Sequence, residues 1–257
     1  MTPELVLDTE LDSSHVGTVT FERGPYNYLS AGLLTALADA FDDLSARGAR
    51  AIVLYGDGRH FCAGADFAGN DTAAPGAATS PIYEVVPRLF ERSAPVVAAL
   101  RGASIGGGLG LALAADFRIA TAKSRFSANF ARLGFSQGFA LSLTLPRLIG
   151  LQRASDLLYT GRTIYGDEAL QIGLCDRLTD DEALLLGEAR SYAAEIAASA
   201  PLAVAAIRRR LHGDLADAVR DALERDWTDQ TSLKLTADFR EGIVAARERR
   251  TPQFRAQ

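Results

Sequence analysis

The sequence predicts an α/β fold, and three observations carry that expectation. Short, fully apolar runs such as Ala51 to Tyr55 and Pro95 to Leu100 have the length and composition of buried strands. Between them lie segments whose apolar residues recur at helical spacing. Beyond Gly138 the pattern becomes almost wholly helical, which predicts a core of alternating strands and helices followed by a helical region.

Taken in order, Val16 to Phe21 alternates as a strand and stops at Gly24-Pro25. Ser30 is placed to cap a helix that carries Leu33, Leu34, Leu37, Phe41 and Leu44 on one face, and Gly48 closes it. Ala51 to Tyr55 is the next strand, and residues 69–80, rich in Ala, Gly, Asp and Thr, form a loop. Ile82 to Glu91 is expected as one helix, Pro95 to Leu100 as a buried strand, and Leu109 to Ala115 as a small-residue helix opening near Gly107. Phe117 to Ala120 and Arg125 to Ser127 complete the strands, and Ala183 to Arg250 supplies several amphipathic helices.

Composition bounds the function. With 257 residues, 48% of them hydrophobic, the chain can bury a sizeable core, divided here into residues 1–200 and a helical region over 201–257. A net charge of −5 argues against a nucleic-acid binder. The clusters Arg208-Arg209-Arg210 and Arg247 to Arg250 are interspersed with acids and are expected on solvated helix faces. Cys62 and Cys175 offer neither a disulfide framework nor metal-ligand spacing, so both are expected as reduced, packed thiols. Met1 to Asp12 lacks the pattern of a signal peptide, and no apolar run is long enough to span a bilayer; a cytoplasmic protein is expected.

Two glycine- and alanine-rich turns are the chemical signal. Arg59-His60-Phe61-Cys62-Ala63-Gly64-Ala65-Asp66-Phe67 and Gly102-Ala103-Ser104-Ile105-Gly106-Gly107-Gly108-Leu109-Gly110 each follow an apolar run. Residues without bulky side chains let a ligand reach backbone N–H groups, and the second turn opens a helix. Two converging amides would make an oxyanion hole.

In order and spacing, these turns resemble the crotonase (enoyl-CoA hydratase/isomerase) superfamily along nearly the whole chain. The other carrying segments are Arg23 to Leu29, Ala94 to Gly102, Leu145 to Gly150, Leu158 to Thr163, Ala169 to Leu174, Asp238 to Gly242 and Glu248 to Phe254. The resemblance implies a spiral of ββα turns with a C-terminal helical oligomerisation region, assembled as a homotrimer or dimer of trimers. It implies an acyl-CoA thioester as ligand, coenzyme A entering as part of the substrate and no separate cofactor or metal. The family's two oxyanion donors fall on the amides of Ala65 and Gly107. By the same resemblance Tyr26, Ala63, Ala65 and Phe67 lie along the pantetheine and adenine, Gly106 and Gly108 flank the second donor, and Arg250 and Phe254 approach the nucleotide. Asp66, beside an oxyanion donor, is expected to hold the turn, since its charge would repel an enolate.

The departures are equally informative. Hydratases of this superfamily use two glutamates, and the corresponding positions here are Gly110 and Phe130, neither of which can move a proton. A third acid, used by some isomerases, corresponds to Gly138. General acid–base groups are worth about a hundred- to ten-thousandfold each, so ordinary hydratase activity is expected to be very low. Asn129, Arg132, Ser136, Gln137, Tyr83, Glu84 and Glu91 are the polar groups in the neighbouring segments, and Tyr83 or Gln137 could bond a polar acyl substituent.

The sequence therefore leaves two main readings open. One is an enzyme that stabilises a thioester enolate with non-standard acid–base groups; the other is a non-catalytic acyl-CoA binding protein. A third, remote reading is a serine α/β-hydrolase, since Gly102-Ala103-Ser104-Ile105-Gly106 matches G-x-S-x-G, but its only later histidine is His212. Dinucleotide binding is set aside because Gly106, Gly108 and Leu111 fail the G-x-G-x-x-G spacing.

Overall fold

The computed structural model describes residues 4–65 and 78–257. Strands β1 (Val6–Leu11) and β2 (Val16–Glu22) form an antiparallel hairpin whose turn is held by Asp12, its Oδ1 accepting from the Ser14 and Val16 amides. The sequence reading missed β1 for a physical reason. It is an edge strand, alternately exposed and half-buried, and so carries no apolar run. Helix α1 (Ala31–Ala46) starts where expected, with Ser30 Oγ accepting from the Leu33 amide at 3.0 Å. Strand β3 (Ala51–Gly56) then pairs in parallel with β2.

The helix expected over Ile82 to Glu91 is instead two short ones, α2 (Pro81–Val85) and α3 (Arg88–Glu91). Pro87 divides them, because it brings no amide hydrogen to continue the ladder. Next come β4 (Val96–Leu100), β5 (Ala103–Ile105), α4 (Gly107–Ala114), β6 (Phe117–Thr121) and β7 (Arg125–Ser127). The region beyond Gly138 is mainly helical but holds two strands that were not expected: α5 (Leu141–Ile149), α6 (Leu151–Thr160), β8 (Ile164–Tyr165), α7 (Gly166–Gln171), β9 (Arg177–Thr179) and α8 (Leu185–Ala197). Helices α9 (Pro201–His212), α10 (Leu215–Leu233) and α11 (Ala237–Glu248) end the chain. Strands of two or three residues leave too little pattern to be found by periodicity.

The strands form two sheets. One has the order β1-β2-β3-β4-β6-β9, parallel apart from the first hairpin; the other has the order β5-β7-β8. The central strands are apolar throughout because both faces are covered. Ile52, Leu54 and Ala98 pack with Leu33, Leu37 and Phe41 of α1, whereas Val53, Val97 and Ala99 pack with Leu185, Ala189 and Ala193 of α8.

Part of the C-terminal region is tied to this core by buried charge. Asp116 bonds Arg92 at 2.9 Å and Arg208 of α9 at 2.9 Å, and the two guanidiniums hold its carboxyl below the usual range although burial pushes it up. Arg208 is thus only 9% exposed, which corrects the expectation that the whole Arg208-Arg209-Arg210 cluster is solvated. Arg209 and Arg210 do face solvent. The reason is the facing carboxylate, which repays the burial of one guanidinium.

Candidate active site

The two turns are zipped to each other by backbone bonds. Phe61 N donates to Arg101 O at 2.9 Å, Cys62 N to Ala103 O at 3.1 Å, and Ile105 N to Cys62 O at 3.1 Å. The first turn is also pinned to the chain before α1, through Ala63 N to Tyr26 O at 3.0 Å and Leu29 N to Gly64 O at 2.8 Å. Among the described residues, neither Ala65 N–H nor Gly107 N–H donates to a backbone carbonyl. Gly107 is the first residue of α4, where a helix has no partner of its own to offer.

Glycine makes the approach possible at two positions. Gly64 has φ +88°, and a Cβ there would lie 2.6 Å from Ile105 O and 3.7 Å from Gly107 N, so the two turns touch where the amides emerge. Gly106, at φ 55° and ψ −119°, adopts a conformation only glycine takes readily. Cys62 is buried in this contact, and burial pushes its thiol up to about 12, so it is a packed residue and no nucleophile.

Side chains fill the space beside the second turn. A Cβ on Gly110 would fall 2.6 Å from Cβ, Cγ and Cδ1 of Phe139, so that ring fills the space a side chain at 110 would need. Phe130, 8% exposed, stacks edge-on against Phe135 at 5.4 Å, and Phe135 against Phe239 of α11 at 5.4 Å. At Gly138 a Cβ would fall on the Tyr83 hydroxyl. All three positions that resemblance associates with acids are therefore bordered by aromatic side chains.

Other expected site residues fall in several places. Tyr26 is 39% exposed and lies 5.6 Å from the Tyr28 ring and 5.8 Å from His60, whose imidazole is lowered by burial. Ala63 and Gly108 belong to the zipped turns, Gly108 resting on the Cys62 carbonyl. Asp66 and Phe67 lie outside the described residues, as does most of the loop expected over 69–80. Gln137 is committed elsewhere, donating through Nε2 to Asp226 Oδ1 at 3.0 Å. Arg250 is occupied by Glu241 at 2.6 and 2.9 Å and by Glu248 at 2.6 Å, which holds Glu241 down at about 2; Phe254 is 43% exposed. Glu91 pairs with Arg220, and Glu84 lines a cleft of about 320 Å³ with Tyr83, Leu223 and Trp227.

Sequence reasoning missed Phe139, Asp226 and Gln230. A signal for the last two exists: both sit on the buried stripe of α10 with Val219, Ala222 and Leu223, at positions where apolar residues belong. The serine-hydrolase arrangement does not form. Ser104 is 1% exposed inside β5, and His212 is turned toward Asp116 at 3.8 Å. Among the described residues no group of three or more His, Cys, Asp or Glu could hold a metal, and no helix is long and apolar enough to cross a membrane.

Comparison with known proteins agrees with this architecture. Residues 12–257 match the family described as Enoyl-CoA hydratase/isomerase. A protein of Bacillus subtilis described as "Probable enoyl-CoA hydratase" is 32% identical over 247 residues, covering 94% of this chain and 96% of that protein. A "Mevalonyl-coenzyme A hydratase" of Beauveria bassiana is 32% identical over 270 residues, covering 98% and 96%. The crystal structure of an enoyl-CoA hydratase/isomerase from Pseudoalteromonas atlantica superposes with a TM-score of 0.84 at 29% identity, covering 97% and 99%. With a spiral-forming pair of sheets, two zipped glycine turns and a match over nearly its full length, the chain belongs to the enoyl-CoA hydratase/isomerase, or crotonase, family.

Proposed function

We propose that this protein binds an acyl-CoA thioester and grips its carbonyl oxygen between the amides of Ala65 and Gly107, stabilising the negative charge of an enolate. The observation that carries this reading is the contact of the two turns, where Gly64 meets Gly107 and where, among the described residues, those two amides have no backbone acceptor. Each such donor is worth about a hundred- to a thousandfold in rate. Hydration is not the favoured chemistry, since Gly110 is filled by Phe139 and Phe130 belongs to an aromatic stack. The proton would be moved by a non-standard group, a bound water or the substrate itself.

Those same filled positions favour a second reading, a binding protein that keeps the grip without turnover. One experiment separates the two: titrate with butyryl-CoA and crotonyl-CoA, then follow exchange of the butyryl α-hydrogens in D2O by NMR. Micromolar binding with exchange supports the enzyme, and binding with neither exchange nor turnover supports the binder. No binding to any CoA thioester overturns both.

The assembly reading is a homotrimer or dimer of trimers. Its support is α9, which leaves Leu202, Ile207 and Leu211 86, 59 and 66% exposed; light scattering that finds a monomer overturns it. A cytoplasmic location is proposed on the two free thiols. Secretion of the full-length protein would refute it.

A further inference from the structure

Phe139 and Ala140 both hold left-handed backbone, with φ 56° and 55°, a region that side chains with a Cβ enter at a cost. Two consecutive residues in that region need surroundings that over-determine them. The surroundings are a polar clamp from α2 and α10. Gln230 Nε2 donates to Ser136 O and Gln137 O, both at 3.1 Å, while its Oε1 accepts from the Tyr83 hydroxyl at 3.1 Å. Asp226 Oδ1 accepts from Gln137 Nε2 at 3.0 Å and from Ser142 Oγ at 3.1 Å, across the start of α5. The amide of Phe139 lies by the Tyr83 oxygen, and that of Ala140 by Asp226.

Such a clamp is expensive to build. Asp226 is 2% exposed and Gln230 3%, and Asp226 Oδ2 has no hydrogen bond among the described residues. Apolar residues on the α10 stripe would fill the same volume without that desolvation. What the polar groups specify is the path of residues 136–142, and that path drives the Phe139 ring against Gly110 and to 3.6 Å from the Cβ position of Gly107.

We propose that Asp226 and Gln230 of α10, with Tyr83 of α2, are positioning residues for the thioester site, holding Phe139 as the wall beside the Gly107 donor. The inference deepens the acyl-CoA reading and rests on it. It makes the ring, set from the C-terminal helices, the group that aligns the thioester against the two amides and keeps water from its α-carbon.

The test uses the full chain and a cinnamoyl-CoA, whose conjugated thioester absorbs at longer wavelength when its carbonyl is polarised. With Asp226→Ala the red shift of the bound thioester falls by half or more and binding weakens about tenfold, because a misplacement near 1 Å at such a site is costly. Asp226→Asn keeps the Oδ1 acceptor and regains most of the shift over Asp226→Ala. Tyr83→Phe, which alters only one hydroxyl, serves if Asp226→Ala does not fold, and is expected to lower the shift without changing circular dichroism. A purely structural role predicts lower thermal stability with an undiminished shift, and that result overturns the proposal. If the wild-type protein binds no thioester, the acyl-CoA reading fails by itself; the crystal structure of Asp226→Ala then decides the clamp, and an unmoved Phe139 overturns it too.

Discussion

The two walls of the site are built in opposite ways. The wall proposed to carry the donors is backbone: Gly64 and Gly106 keep the turns free of bulk beside the amides of Ala65 and Gly107, and the bridge between Cys62 and Ser104 holds the two turns together. The other wall, beside the second turn, is side chain: Phe130 and Phe139 fill space, and Tyr83, Asp226 and Gln230 hold the loop that carries Phe139. A backbone wall is indifferent to side-chain drift and can be shared by many chemistries. A side-chain wall decides which chemistry is allowed.

The largest effect should come from breaking the donor wall. Ala65→Pro deletes one amide hydrogen, and any α-hydrogen exchange on butyryl-CoA is expected to fall about a hundred- to a thousandfold, measured by NMR in D2O. Retention of exchange within about threefold would remove Ala65 from the oxyanion hole.

The next test attacks the other wall. Gly110→Glu with Phe130→Glu restores two carboxylates but leaves Phe139 in the way, so the pair alone should lose about 1–3 kcal/mol of stability by overpacking and gain no crotonyl-CoA hydration. Adding Phe139→Ala opens the volume, and hydration should then become measurable. Hydration by the double variant without Phe139→Ala would show that the ring is no obstacle.

A third prediction concerns the clamp through pH. Burial raises Asp226 from 3.8 to about 6, against the lowering by its hydrogen bonds to Gln137 and Ser142. A carboxyl whose folded value is raised destabilises the fold as it ionises: the cost is absent below pH 4, grows between pH 4 and 6, and is complete above 6. Asp226→Asn should therefore stabilise the fold over wild type at pH 8, by a few kcal/mol at most, and bring little gain at pH 4. An equal gain at both pH values, followed calorimetrically, contradicts an ionising Asp226.

The smallest effect is expected at the periphery. Arg250 is already bound by Glu241 and Glu248, so Arg250→Ala should change CoA affinity by no more than about twofold at moderate salt. A larger loss that vanishes at high salt would return Arg250 to the phosphate role that the resemblance implies.

Legibility in the sequence followed the same division. The close meeting of the two turns was readable because its requirement is local: no Cβ fits where Gly64 meets Ile105, and that need is written as glycine. The α1 cap at Ser30 and the central strands were readable for the same reason, each being a short-range pattern. The clamp was not, since Tyr83, Gln137, Asp226 and Gln230 come from distant segments and look like ordinary helix and loop residues until they meet. Arg208 was misread likewise, because nothing near it in the chain announces Asp116.

The sequence by itself determined the alternation of strands and helices, the two turns and the presence of Gly, Phe and Gly at positions 110, 130 and 138, all of which are properties of residue type and spacing. Only the tertiary structure decided what occupies those positions, placing Phe139 against Gly110 and the Tyr83 hydroxyl against Gly138. The physical reason is that excluded volume belongs to pairs of residues: a glycine records that space is needed, and the neighbour that takes the space is known only when the chain has folded.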